Sequence, residues 1–153
     1  MDGHSTSTNV VRIPGPETAL LDDQVGHLLR SAHKRASAVC SEVLGSSELT
    51  PAQYFALARL QEVGRLSQNH LGRLTAMDPA TIQGVVQRLQ ARGLVERTAD
   101  KYDRRRKVLQ LTPAGRSMIE QLQGLTVQAN DAILAPLNAG EREIFMRLLR
   151  RIA

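Results

Sequence analysis

The sequence predicts a mainly α-helical fold with one small β-hairpin, and three observations carry that expectation. Apolar residues recur at three- and four-residue steps through most of the chain, the period of amphipathic helices. Helix-start signals punctuate those stripes at Thr50–Pro51, Ser67, Asp78–Pro79, Thr112–Pro113 and Asn138 with Glu141. Each places a side-chain acceptor where the first free amides of a helix point. The period changes to alternation only in "GLVERTADKYDRRRKVLQLTPAG", Gly93–Gly115, where two short alternating runs flank five basic residues between Lys101 and Lys107.

The 153 residues suffice for one compact domain, or for a small domain with an extended dimerising part. Residues 1–17 are rich in Ser, Thr, Gly and Pro and read as a flexible arm ahead of one domain over residues 18–153. The first helix runs from Leu21, with Val25, Leu28, Leu29, Ala32, Ala36, Val39, Cys40 and Val43 on one stripe, and should stop near "LGSS". In the second, Thr50 is the N-cap and Gln53 its reciprocal partner. Tyr54, Phe55, Leu57, Ala58 and Val63 are the expected apolar positions there.

Ser67 opens a short third helix, "SQNHLGRL", with Leu66 and Leu71 as a hydrophobic staple. After "TAM", Asp78 and Pro79 start a fourth, and Met77 and Ile82 repeat the staple. Ile82, Val85, Val86 and Leu89 share one side of that helix. Gly93 should close it in a left-handed conformation while Leu94 folds back on Leu89. A strand, a loop of about six residues and a second strand follow. The fifth helix carries Met118, Ile119, Leu122, Leu125 and Ala129 on one side and ends by Pro136; the sixth carries Ile144, Phe145, Leu148, Leu149 and Ile152.

A formal charge of +5 and a pI near 10.1 point to an anionic partner, either nucleic acid or an acidic membrane surface. No run of about 18 apolar residues occurs, and "MDGHSTSTNVVRIPGPE" lacks the basic and apolar regions of a signal peptide. A cytoplasmic location with no membrane partner is therefore expected. The single cysteine, Cys40, excludes an internal disulfide and a Cys-rich zinc site.

A short helix, a three-residue turn, a capped helix with a small polar outer face and a basic hairpin make a winged helix-turn-helix, over residues of about 50–112. Each part has a role on DNA. A helix of about 14 residues spans roughly 21 Å and fits the major groove, where amide and guanidinium groups reach base edges. Gln83, Gln87 and Arg88 are the candidate base readers, and Thr81 could bind phosphate or a thymine methyl. Ser67, Gln68, Pro79, Ala80 and Gly84 complete the helix face. Arg97, Lys101, Asp103, Arg104, Arg105 and Arg106 belong to the hairpin, whose narrow positive loop suits a minor groove. Asp103 lowers the charge of that loop by one and is expected to hold an arginine in place.

The segments "LSQNHLGRL", "DPATIQGVVQRLQARGLVER" and "DRRRKVLQLTPAG" resemble the MarR family of bacterial regulators (multiple-antibiotic-resistance regulator), whose layout the flanking helices match over nearly the whole chain. The most specific piece is Asp103-x-Arg105 followed by "VLQLTPAG". The resemblance implies that Asp103 orients the wing and that Arg105 enters the minor groove. Gly84 departs from the larger, often basic residue that many relatives carry on the recognition helix. The resemblance further implies a homodimeric repressor on a pseudopalindromic operator, released by a small aromatic or phenolic carboxylate. Dimerisation would use helices at about 18–45 and 113–153. The stripes on the first, fifth and sixth helices agree, since one winged domain cannot easily bury them all, and a dimer presents recognition helices about 34 Å apart. An intramolecular core is the alternative.

The effector implied by the resemblance needs cations for its carboxylate and flat apolar surface for its ring. His27, Arg30, Ser31, His33 and Lys34 on the first helix, Tyr54, Phe55 and Arg59 on the second, and His70 on the third are suitable in chemistry. A thiol-based redox sensor through Cys40 is a second possible input. However, Cys40 sits on the apolar stripe near Glu42 with no base beside it, which favours burial over reactivity. His4, His27, His33 and His70 include no pair at metal-ligand spacing, and no cofactor is expected. No Gly-rich phosphate loop, nucleophile elbow or paired acidic motif points to an enzyme. The remaining alternative is a ligand-independent or architectural DNA-binding protein.

Overall fold

Caps written in the sequence set where the helices begin. The computed structural model of the protein describes Leu21 and residues 24–153; the arm expected over residues 1–17 lies outside them. The elements are α1 (Val25–Leu44), α2 (Pro51–Val63), α3 (Gln68–Leu74), α4 (Pro79–Ala91), β1 (Val95–Ala99), β2 (Lys107–Leu111), α5 (Pro113–Ile133) and α6 (Ala139–Ile152). Capping boxes join Thr50 to Gln53 and Asn138 to Glu141. Ser67, Asp78 and Thr112 each accept a backbone N–H from three residues on. The helix expected from Leu21 instead starts at Val25, and a 3-10 turn at Gly45–Ser47 ends it.

Backbone contacts divide the chain inside α1: the described residues up to Arg35 form one unit and Ala36–Ala153 the other. In the first unit no described residue is buried, and Val25, Leu28 and Leu29 are exposed. The second unit holds the core, in which Leu57, Leu60, Leu71, Ile82, Val85, Val86, Leu89 and Leu109 are the largest fully buried side chains.

On α2 the buried face is Gln53, Ala56, Leu57 and Leu60, an i, i+3, i+4, i+7 set. Phe55 and Val63, expected to be apolar contacts, fall off that face and are 47% and 50% exposed. The stripe of α5 faces the core of its own unit. Ile119, Leu122 and Ala129 are buried, and Met118 and Leu125 pack on the core, so this helix satisfies its stripe within its own unit. Like the described start of α1, α6 leaves a broad apolar face uncovered, with Ile144, Phe145, Leu148 and Ile152 exposed.

Two glycines permit close approaches that place the site. A Cβ on Gly72 would lie 3.2 Å from both the Met77 carbonyl oxygen and Ile82 Cγ2, so any side chain there would make α3 and α4 give by a few tenths of an ångström. At Gly115 a Cβ would lie 2.0 Å from the Leu94 carbonyl oxygen, which seats the start of α5 on the start of the hairpin. The strands pair antiparallel from Val95 opposite Leu111 to Ala99 opposite Lys107. Leu66, just before α3, bonds in both directions with Leu109 of β2, which ties the hairpin to the helix-turn-helix.

Candidate nucleic-acid interface

The recognition surface is built outward from the buried face of α4. Ile82, Val85, Val86 and Leu89 anchor the helix, leaving Pro79, Ala80, Thr81, Gln83, Gln87 and Arg88 exposed on its other faces. Gly93 takes φ 68°, and its N–H reaches the Gln90 carbonyl while that of Leu94 reaches Leu89. This is the Schellman pairing, and it turns the chain directly into β1. At Gly84 the missing side chain leaves room for Arg88, whose Nη2 would stand 3.3 Å from an added Cβ.

Thr81 is not a free hydroxyl. It donates to Asp78 Oδ2 at 2.8 Å, and its N–H donates to Asp78 Oδ1 at 2.8 Å. These bonds hold the Asp78 carboxyl below the usual carboxylate range. In the free protein the Thr81 hydroxyl proton serves the cap of α4. Ser67 is likewise used as a cap, for the His70 amide. Gln68 Oε1 accepts from Arg97 Nη2 at 2.7 Å, so Arg97 of β1 is steadied by α3.

The wing loop spans seven residues, 100–106, one more than expected. Lys101, Asp103, Arg104, Arg105 and Arg106 are all exposed. Among the described residues none of the three arginines has an ion-pair partner, so their guanidinium groups are available to an anion. Asp103 does not hold an arginine side chain. Its Oδ1 accepts the backbone N–H of Arg105 at 3.0 Å, a turn that shapes the chain and leaves the side chains outward. Sequence reasoning missed Asp100, whose Oδ1 accepts from the amides of Tyr102 and Asp103 at 2.8 and 3.1 Å. The spacing of the two aspartates in "DKYD" is the signal that could have found it.

Away from the wing, an apolar cavity of about 150 Å³ lies between α1, α2 and α5, with Cys40, Val43, Tyr54, Phe55, Leu125 and Thr126 among its lining residues. The Tyr54 hydroxyl bonds the Thr126 hydroxyl at its edge. No lysine, arginine or histidine lines this cavity, against the expectation of cations beside the ring surface. Arg59 lines an adjoining open groove with Tyr54, Leu74 and Ala76, and its guanidinium is paired with Glu62 at 2.6 Å. His70 is exposed on α3 and lines neither. In the first unit His27 and Arg30 share a surface depression with Gln24, while Ser31, His33 and Lys34 are exposed along α1. Cys40 is half-buried, and burial pushes its thiol up, which disfavours the reactive thiolate. Among the described residues no group of three or more His, Cys, Asp or Glu is placed to hold a metal ion.

The comparisons with known proteins agree with this geometry. A model of the MarR family matches residues 47–106. Over 144 residues, 90% of this chain and 91% of the relative, the chain is 38% identical to the HTH-type transcriptional repressor NicR of Pseudomonas putida. A probable transcriptional regulator from Pseudomonas aeruginosa has a similar structure, with a TM-score of 0.83 at 48% identity over 88% of this chain and 100% of that one. A second similar structure is that of Bordetella bronchiseptica BpsR, described for the regulation of its DNA binding by 6-hydroxynicotinic acid. Its TM-score is 0.82 at 36% identity, over 88% of this chain and 96% of that one. The chain belongs to the MarR family of winged-helix, DNA-binding transcriptional regulators.

Proposed function

We propose that the protein is a cytoplasmic homodimeric repressor that binds a pseudopalindromic operator and is released by a small aromatic acid. The observation that carries this reading is the pairing, in one unit, of an exposed polar face on α4 with a wing of unpaired arginines. The helix supplies Gln83, Gln87 and Arg88 to base edges, and the wing supplies Arg104, Arg105 and Arg106 to the backbone and the minor groove. A homodimer is supported by the uncovered α6 stripe of Ile144, Phe145, Leu148 and Ile152. No helix among the described residues is long and apolar enough to cross a membrane.

Base reading by α4 has a direct test. Gln87→Ala should narrow the preference for the operator over altered sequences by about 1–3 kcal/mol, the discrimination of one bidentate contact. General affinity for unrelated DNA should change little. Competition binding with single-base operator variants measures both, and an equal loss on every sequence would show that Gln87 contacts only the backbone.

The effector reading rests on the apolar cavity. At about 150 Å³ it is the size of a cavity that takes up benzene, so one six-membered ring fills it. Tyr54 and Thr126 offer hydroxyl groups at its edge for a polar substituent. Because BpsR is regulated by 6-hydroxynicotinic acid and NicR is a repressor, a hydroxylated pyridine or benzene carboxylate is the first class to try. Such a ligand releases DNA only if it binds the DNA-incompetent state more tightly. The expected result with 6-hydroxynicotinic acid is a higher melting temperature of the free protein and a weaker operator complex. Operator binding that no aromatic acid weakens would favour a repressor acting by occupancy alone.

A further inference from the structure

The wing of this protein contains more order than its charge requires. Beyond the last strand pair, Ala99 opposite Lys107, the Asp100 N–H donates to the Arg106 carbonyl at 2.9 Å and closes the loop by one more rung. The Arg106 N–H in turn donates to the Asp103 carbonyl at 2.9 Å. Inside that ring the Asp100 carboxylate accepts the amides of Tyr102 and Asp103, and the Asp103 carboxylate accepts the amide of Arg105. The two aspartates form consecutive side-chain turns, so the amides at 102, 103, 105 and 106 all have acceptors. The side chains then have one way out: Tyr102 is 86% exposed with Lys101 Nζ 4.5 Å from its ring centre, and the arginines point to solvent.

We infer that Asp100 is a positioning residue for DNA binding, its carboxylate holding the wing tip in the shape that presents Tyr102 and the three arginines to the duplex. The inference rests on the DNA-binding reading above. Hydrogen bonds from the Tyr102 and Asp103 amides, with Arg106 and Arg65 nearby, hold the Asp100 carboxyl below the usual carboxylate range, so the acceptor is present at neutral pH.

Charge and geometry predict opposite signs, which makes the assignment sharp. A carboxylate in a basic loop repels phosphate, so if charge alone mattered, Asp100→Ala and Asp100→Asn would both bind DNA more tightly. If the carboxylate positions the loop, Asp100→Ala should bind operator roughly tenfold more weakly with a shallower dependence on salt. Asp100→Asn, whose amide oxygen makes the same turn, should stay within about twofold of the parent.

The test combines operator titrations at several salt concentrations with tryptic cleavage of the free, full-length protein, because Lys101, Arg104, Arg105, Arg106 and Lys107 make the loop a trypsin target when it loosens. The expected result is cleavage within the loop about fivefold faster in Asp100→Ala, parental cleavage in Asp100→Asn, and melting temperatures of both within about 2 °C of the parent. Affinity equal to or above the parent's in Asp100→Ala, or an equal loss in Asp100→Asn, would overturn the assignment, as would a collapse in melting temperature. Proteolysis reads the loop without DNA. Faster cleavage with no DNA binding by any form, the parent included, overturns the DNA reading, and unchanged cleavage overturns the role of Asp100.

Discussion

Leu148→Asp should convert the protein to a monomer and lower its affinity for a two-half-site operator by roughly a hundredfold or more. The substitution places a carboxylate in the middle of the exposed α6 stripe, between Phe145 and Ile152. In a dimer that stripe is desolvated, and an unpaired charge there costs several kcal/mol. Each large side chain of the stripe contributes about 1.5–3 kcal/mol when covered, so one such penalty offsets several contacts. The loss on DNA exceeds the loss of any one contact because two linked half-sites multiply affinity by about 10²–10⁴. No residue of α6 is buried within the chain, so the core around α2 and α4 should keep its structure. Sedimentation gives the mass, circular dichroism the fold, and titration against whole and half operators the DNA effect. A Leu148→Asp protein that remains dimeric would move the interface away from α6.

Gly115→Ala carries the largest expected effect on stability. Its Cβ would stand 2.0 Å from the Leu94 carbonyl oxygen and 3.0 Å from the Leu94 carbonyl carbon, with Leu111 Cδ2 at 3.4 Å. The obstacle is backbone, and it cannot be relieved by turning a side chain. Either α5 withdraws from the hairpin or the Gly93–Leu94 turn gives way, and Thr112 bonds both ends of that joint through its contacts to Gly93 and Gly115. Overpacking of this kind costs about 3 kcal/mol or more, a fall of roughly 10 °C in melting temperature for a chain of this size. Gly124→Ala is the control. It lies in the same helix with nothing within 4 Å of the added Cβ, and alanine there should stabilise by about 0.5–1 kcal/mol. Thermal denaturation of the two variants beside the parent tests the contrast; similar melting temperatures would contradict the tight seat of α5.

What could be read from the sequence was what local chemistry determines. Thr50, Ser67, Asp78, Thr112 and Asn138 are caps because a hydroxyl, carboxylate or amide oxygen three residues before a free amide has one natural use. The inward face of α4 was legible for the same reason, since Ile82, Val85, Val86 and Leu89 share one side at helical spacing. The errors arose where tertiary contacts decide. Phe55 is as apolar as Leu57, but the α2 face toward the core runs through Ala56 and Leu60. The α5 stripe could be read as apolar but not as inward, and its seat against Leu94 accompanies Ile119 and Leu122 in the core. Asp103 was expected to hold an arginine side chain and instead accepts the backbone N–H of Arg105, while the Thr81 hydroxyl bonds Asp78 three residues before it. The lining of the apolar cavity was not legible for a related reason: spacing along α1 and α2 names suitable residues without saying which line a common space.

These results bear on how the wing and the recognition helix share their work. Leu66 and Leu109 join the two through a pair of backbone bonds, and Arg97 with Gln68 adds a side-chain tie. The hairpin is therefore tied to α3 through both backbone and side-chain bonds.

The most direct test of the central claim is fluorescence anisotropy of the purified protein with duplexes selected from random sequence, against scrambled controls, at about 50 and 200 mM salt. The account predicts tight binding to a pseudopalindrome, with two protomers per duplex and a wide margin over scrambled DNA that survives the higher salt. Equal binding to both duplexes that vanishes at the higher salt would contradict it, leaving a wing that recognises charge and a helix that reads no bases.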